Sequence, residues 1–581
     1  MNAPRSALLA ALIMLTGCTS VMAPPIKTRI PGSVGYPAAR GASTQAYYHY
    51  TLAHIHARAG RTQDAIAEIK KAIRYDPHTP GLWSQLALWL AEVRATDEAI
   101  KAARRAVEVG PDEVSAYMTL AELYRSQKRY AEAEVELEKV IALTPLAPAP
   151  YLALARYHAE QKAYDKARAV LLRLVAVQPT DAQAHFLLGR LAIETESWEE
   201  AITRLQRAIE LDPGTYRPSL ALGYVYETRD RPEEALAVYR KALETHPDHP
   251  AVLERLGDLL MRVGKLEEAE PEVEALAELA PRSPQIWMKL GALYYERKRY
   301  DKATVAFRRA VELEPSDLRA RFYLASSYTE AGKDAEAERE LQQILRTDSD
   351  SIEARVQLAF LHGRAKRYNE ATTLLQEAVN LEPRRPELFL YLGTTYYRAE
   401  QYDRAVASLQ EGLSIDDKHK DLYFQLGVVY EKQKRFNDAV EAFRRVIELD
   451  PKHAEAHNYI GYMYVEKGIN LKEATRLIEK ALEVEPENGY FIDSLGWAYY
   501  QQGQYTRALR ELKRAVERAG EDPVIFDHLG DAYLKNGLIE EAIGAWEKAL
   551  KLDPKNASVK QKLQENQETP RKVEGGRSRA Q

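Results

Sequence analysis

The sequence predicts an all-α protein, a solenoid of about fifteen stacked helix pairs preceded by an export signal and a linker. Three observations carry that prediction. Prolines stand at 77, 111, 145, 179, 213, 247, 281 and 315, and again at 383, 451, 486 and 554, and almost every interval is 34 residues or twice 34. The omitted slots hold Ser349, Asp417 and Gly520, so fifteen units account for residues 46–556, with one extra residue within 467–471. Inside the units, position 20 is Ala in all fifteen copies, position 7 is Leu in fourteen with Ile460 the exception, and position 8 is always Gly or Ala. A unit of this length cannot bury its apolar face alone and must stack on its neighbours.

Composition narrows the class. The chain has 581 residues, 45% hydrophobic and 29% charged, with a mean hydropathy of -0.45, which excludes a multi-span membrane protein and a disordered one. Lys and Arg total 81 against 86 Asp and Glu, giving a net charge of -5 with both signs interspersed, so no nucleic acid partner is expected. A single cysteine excludes a disulfide framework, thiolate zinc sites and CxxC redox pairs within the chain.

That cysteine belongs to the first element. Residues 1–17 carry Arg5 as their only charge, then an apolar stretch at 7–15 too short to span a bilayer, and they read as a signal peptide. Leu15-Thr16-Gly17-Cys18 resembles the lipobox of bacterial lipoproteins, which implies cleavage before Cys18 and acylation of its thiol. Several acyl chains hold a protein on a membrane far better than one, at about 0.8 kcal/mol per buried methylene. Thr19, where many diderm bacteria place Asp for inner-membrane retention, implies the outer membrane, facing the periplasm. Residues 18–45 then collect Pro24, Pro25, Pro31, Pro37, Gly32, Gly35 and Gly41 without helical period, which predicts a flexible tether.

Each unit in 46–556 reads as two helices. In one copy, residues 285–295 carry apolar side chains at helical spacing, Lys298-Arg299 marks a turn, and residues 301–313 form the second helix, stopped by Pro315. The small residue at position 8 and the Ala at position 20, facing large apolar partners, predict a close helix crossing. Trp287, Leu290, Gly291, Tyr294, Ala303, Phe307, Ala310 and Pro315 together resemble the tetratricopeptide repeat (TPR), which implies a right-handed superhelix and a protein-binding groove. Six copies depart at the second alanine, with Val140, Leu174, Leu276, Ile344, Gly412 and Val446, which predicts uneven local packing. Residues 557–566 read as a capping helix with a wet outer face, and 567–581 as a disordered polar tail.

No catalytic motif appears: the sequence has no GxxxxGK[ST], HExxH or GxSxG, and no region outside the repeats is large enough for a catalytic domain, so no enzyme and no cofactor are expected. His49, His54 and His56 cluster, but His56 takes the slot where other copies have Tyr, as do His158 and His362, so packing explains them and no metal site is expected. Glu199-Glu200, Glu233-Glu234 and Glu267-Glu268 recur at the start of the second helix, where negative charge suits the helix dipole.

Function is expected in the groove. The family resemblance implies that positions 2, 5, 9, 12 and 13 of each first helix line the concave face. In the C-terminal third they hold Asn458, Tyr462, Asp493, Trp497, Tyr500, Asp527 and Asp531, taken as the principal recognition site for a basic or hydroxyl-rich segment, with an aromatic stripe of Phe322, Phe360, Tyr397 and Phe424 as the next choice. About half of the groove rings are expected to serve the core. No consecutive repeats carry the Lys and Asn pattern that resembles the carboxylate clamp of chaperone cofactors. The expected function is a non-enzymatic scaffold binding envelope proteins or peptides, a membrane partner through the N-terminal lipid, and envelope assembly in secretion, pilus, polysaccharide-export or cell-wall machinery. The alternative is a carbohydrate- or peptidoglycan-binding module that stacks sugars on groove aromatics.

Overall fold

The structure, a computed structural model, describes residues 43–567. The signal peptide, Cys18, nearly all of the 18–45 linker and all but the first residue of the tail lie outside the described residues. Described residues form 31 α-helices and no strand. They fall into two compact units, one ending at Pro315 and one starting at Ser316. The first holds eight helix pairs, from Thr44–Arg58 to Tyr300–Leu313. The second holds seven, from Leu318–Glu330 to Ile539–Leu552, followed by the single helix Ala557–Gln567, whose Val559 and Leu563 are buried against the last pair.

Within a pair, the crossing is as close as the repeated small residues require. All fifteen alanines at position 20 have zero exposure, from Ala65 to Ala542. Position 8 faces position 24 of the second helix, and an aromatic side chain stands at 24 only where position 8 is glycine. The four aromatic residues at position 24, Tyr239, Phe307, Phe443 and Trp546, are fully buried, and each lies over a glycine. A Cβ at Gly530 would sit 2.4 Å from the Trp546 indole nitrogen, and one at Gly223 would sit 2.2 Å from the Tyr239 ring.

In the turn between the helices of a pair, the residue two after the first helix lies in the left-handed region in every copy. Six are glycine; the other nine, such as Lys298, Lys366 and Glu400, are not. The following N–H reaches back five residues, as Arg299 does to the Tyr294 carbonyl at 2.8 Å, closing the first helix as in a Schellman motif. The extra residue at 467–471, in the thirteenth repeat, falls in such a turn, where Gly468 and Asn470 are both left-handed.

Proline marks the end of the second helix but does not make it. Where Ser349 and Asp417 replace it, the helices still end at Thr347 and Ile415, with the Asp348 N–H on the Ile344 carbonyl and the Asp416 N–H on that of Gly412. Only at Gly520 does the helix run on, to Ala519, ending on a left-handed glycine. The departures at the second alanine are absorbed: Val140, Leu174, Leu276, Ile344 and Val446 are all buried, and Gly412 receives the close approach of Leu422 and Phe389. Second helices of neighbouring repeats are tied by ion pairs, Arg168 with Glu200 at 2.9 Å and Lys265 with Glu233 at 2.9 Å, so the Glu-Glu pairs serve these ties as well as the helix dipole.

Candidate functional site

Positions 2, 5, 9, 12 and 13 of a helix at 3.6 residues per turn share one face. In the second unit this face carries all the C-terminal candidates. Gly489–Gln501 supplies Asp493, Trp497 and Tyr500, Ala454–Glu466 supplies Asn458 and Tyr462, and Pro523–Lys535 supplies Asp527 and Asp531. Apart from Asn458, whose Oδ1 is buried without a hydrogen-bond partner, their side chains are engaged with neighbouring groups. The Trp497 indole stacks on Tyr500 at 4.5 Å and on His528 at 4.1 Å, both within 11° of parallel, and its N–H donates to Glu466 at 2.9 Å. Asp493, 5% exposed, meets Nδ1 of His528 with both carboxylate oxygens, at 3.0 and 3.1 Å. Lys562 of the final helix donates to Asp527 and to Asp531, each at 2.7 Å, and Asp531 also accepts from the Trp546 indole at 3.2 Å.

The electrostatics follow from burial and these partners. Burial alone pushes the His528 imidazole down, but the Asp493 carboxylate against it, helped by Asp527 and Glu466, outweighs burial and holds it above the ordinary histidine value. Burial raises the Asp531 carboxyl, with Lys562 opposing. The Tyr500 phenol is pushed up to about 12, by burial and then by Asp531, Tyr505 and Asp527. Tyr462 is raised in the same way, by burial with Glu466 and Asp493.

The sequence reading offered these carboxylates to a partner, and the structure gives each an internal one: the His528 imidazole for Asp493, and the Lys562 ammonium for Asp527 and Asp531. Sequence reasoning missed both of these groups and Glu466. The signal was available, because His528 and Lys562 stand at position 6 of their helices, as does Lys289 in the first unit, which pairs with Glu254 and Asp258 of the preceding repeat. Position 6 thus reaches positions 5 and 9 of the repeat before it. Gln357 does the same toward Ser326, at 3.0 Å.

Along the aromatic stripe the structure separates the rings. Phe424 contacts Phe443, His453 and Tyr459, and Tyr397 packs on Tyr402, so these two serve inter-helix packing. Phe322 lies beside Tyr323 and is partly exposed. Phe360 is 45% exposed. In the first unit, Tyr50 and Met288 of the groove register are buried. The N-terminal histidines are engaged in packing: His49 bonds Glu68 at 2.7 Å and stacks on Tyr75, while His54 lies between Tyr50 and Trp89. His158 and His362 are buried in the slots that Tyr fills elsewhere. Among the described residues no three His, Cys, Asp or Glu side chains are grouped to hold a metal ion, and no helix is long and apolar enough to cross a membrane.

Family comparisons match this architecture. A model of the cilia and flagella-associated protein 70 C-terminal domain matches residues 316–524. Tetratricopeptide-repeat models match 46–79, 90–151, 124–191, 186–250, 228–293, 284–317 and 494–557. Similar solved structures include the APC/C hetero-tetramer Cut9–Hcn1, at 14% identity over 78% of this chain and 96% of that one, with a TM-score of 0.37. MamA matches at 26% identity over 28% of this chain and 95% of its own, with a TM-score of 0.27. Yeast Tom70 matches at 16% identity over 90% of this chain and 99% of its own, with a TM-score of 0.35. No curated protein matches significantly. The repeats of this chain are tetratricopeptide repeats.

Proposed function

We propose that the chain is a non-enzymatic protein-binding scaffold of a diderm bacterial envelope, held on the outer membrane through an acylated Cys18 and facing the periplasm. There it gathers the proteins of an assembly machine of the secretion, pilus, polysaccharide-export or cell-wall kind. The observation that carries the scaffold reading is the helix-pair array itself: pairs take up residues 44–552, so what the chain offers a partner is the face of its first helices. The anchor rests on the short apolar run ending in Leu15-Thr16-Gly17-Cys18, which contains the chain's one cysteine. A protein partner is favoured over a sugar because the Trp497 ring, the largest on the C-terminal groove face, already stacks on Tyr500 and His528 and spends its N–H on Glu466.

Cys18→Ser tests the anchor: the variant is expected to leave the membrane fraction and to lose its acyl mass. A variant that still sediments with outer membrane rules the lipoprotein reading out. Cross-linking and pull-down from envelope extracts, run beside purified glycan arrays, tests the partner class. Proteins recovered by the chain support a scaffold, and glycan binding without protein recovery refutes it.

A further inference from the structure

The first helices of three consecutive repeats share a charge arrangement found in no other repeat of the chain. At position 2 stand Glu353, Glu387 and Asp421, and at position 13 Arg364, Arg398 and Lys432. The preceding repeat has the reverse, Arg319 and Glu330, and the following one has acid at both ends, Glu455 and Glu466. The helix dipole favours acid early and base late in every helix, so it does not by itself explain a pattern confined to three of fifteen. In the first unit, position 13 is Glu in four repeats, Glu92, Glu160, Glu194 and Glu296, against the dipole.

Between the two charged rows the floor is apolar but for the Thr394 hydroxyl. Positions 5 and 9 of these repeats are Val356, Phe360, Leu390, Thr394, Phe424 and Val428, with Phe360 the most open. The charges stay exposed: the Glu353 side chain is 63% accessible, Arg364 41% and Lys432 52%. Their ion pairs keep to their own side of the groove. Glu353 meets Arg385 at 3.6 Å, Arg364 meets Asp334 at 3.4 Å, and Lys432 meets Glu431 at 3.8 Å. Positions 2 and 13 are separated by about 16 Å of helix rise, which leaves room for a rod about 10–12 Å wide. Neighbouring helices packed about 8–10 Å apart extend such a floor, from residue 352 to 455, to roughly 30 Å, the length of a 20-residue helix.

Resting on the scaffold reading, we propose that this face docks an amphipathic α-helix of a protein partner. Its apolar stripe lies on the floor, its Lys or Arg flank faces Glu353, Glu387 and Asp421, and its Asp or Glu flank faces Arg364, Arg398 and Lys432. Because the two rims differ in sign, they also fix the direction in which the helix lies. Charge complementarity of this kind sets register and orientation more than raw affinity.

The test uses the full chain and three synthetic 20-residue helical peptides sharing one leucine stripe: Lys on one flank with Glu on the other, Lys on both, and Glu on both. Fluorescence anisotropy should show the mixed peptide binding at least tenfold tighter than either single-sign peptide. Equal affinities, or no binding by any of the three, overturn the proposal. R364E/R398E/K432E should lose the mixed peptide tenfold and prefer the all-Lys one, with helix content checked by circular dichroism; an unchanged ranking overturns it. If that variant fails to fold, Phe360→Ala, at an exposed site, should weaken the mixed peptide about tenfold, and unaltered affinity overturns it. If envelope proteins are still recovered by the chain while no peptide binds, this inference falls and the scaffold reading stands; loss of both removes the scaffold reading as well.

Discussion

The repeats over 352–449 and those over 454–552 are the same inside and opposite on the groove face. Ala371, Ala405 and Ala439 in the first set and Ala474, Ala508 and Ala542 in the second are all without exposure, so the helix crossings do not distinguish them. On the groove face the first set shows Phe360, Leu390 and Val428, and the second shows Asp493, Trp497, Asp527 and Asp531. The polar set looks more suited to binding, yet its charges are consumed at the junctions by His528 and Lys562. The plainer set leaves its charged rows exposed. Polarity on a groove face is therefore a poor guide to availability, and the residue one repeat further on decides which reading applies.

The largest expected effect that breaks this contrast is Asp493→Ala. It strands a buried imidazole beside Glu466 and Asp527 and should cost about 3 kcal/mol or more, felt over 489–552 and hardly over 352–449. Hydrogen exchange resolved by segment checks it; uniform loss across both sets would show that they unfold as one. The same pair makes a pH prediction. The folded His528 value is raised, so the stability it adds is complete below the ordinary histidine value and is lost as pH rises through the raised one. Denaturation midpoints of the C-terminal repeats should fall with rising pH over that window, and Asp493→Asn should flatten the dependence.

Gly530→Ala comes next. The added methyl would overlap the buried Trp546 ring and should destabilise by about 1–3 kcal/mol. Gly363→Ala in the other set meets nothing within 4 Å and should be neutral or stabilising by about 0.5–1 kcal/mol. Calorimetry of the two variants compares an inner with an outer glycine directly. Lys562→Ala should follow at about 1–2 kcal/mol, loosening the helix Ala557–Gln567, taking from Asp527 its ion pair and leaving Asp531 with the Trp546 indole. Its proteolytic sensitivity at the C-terminal end should rise while 352–449 stays protected. As small as the Gly363→Ala effect is that of Lys366→Gly, which relieves a left-handed lysine at φ 59° and should add about 0.5–1 kcal/mol, read from the thermal midpoint.

The array was legible in the sequence because each repeat restates the same few contacts. Ala at position 20 and Gly or Ala at position 8 recur fifteen times, and one chain supplies its own comparison. The left-handed turn residue was half visible: Gly60, Gly264 and Gly332 announce it, while Lys298 or Glu400 carries no such signal, since the polar side chain tolerates a backbone set by the bonds around it. The proline stop was overread, because the cap hydrogen bond to position 27 forms at Ser349 and Asp417 as well. The site was legible only as a face. Which groups on it are free depends on side chains 31 to 35 residues away, such as Lys562 on Asp531 and His528 on Asp493, and spacing within one helix does not contain that information.

The odd residue within 467–471 bears on how such a chain tolerates change in length. One residue added inside a helix would turn everything beyond it by about 100° and move every hidden alanine off its mark. Placed between Gly468 and Asn470, it is spent in a turn, and Ala474, Ala508 and Ala542 keep their full burial in the repeats that follow. The turns are thus where insertions and deletions can accumulate without loss of phase, and the helices are where they cannot. Libraries of length variants built at the fifteen left-handed turns should yield folded arrays far more often than libraries built one turn of helix away.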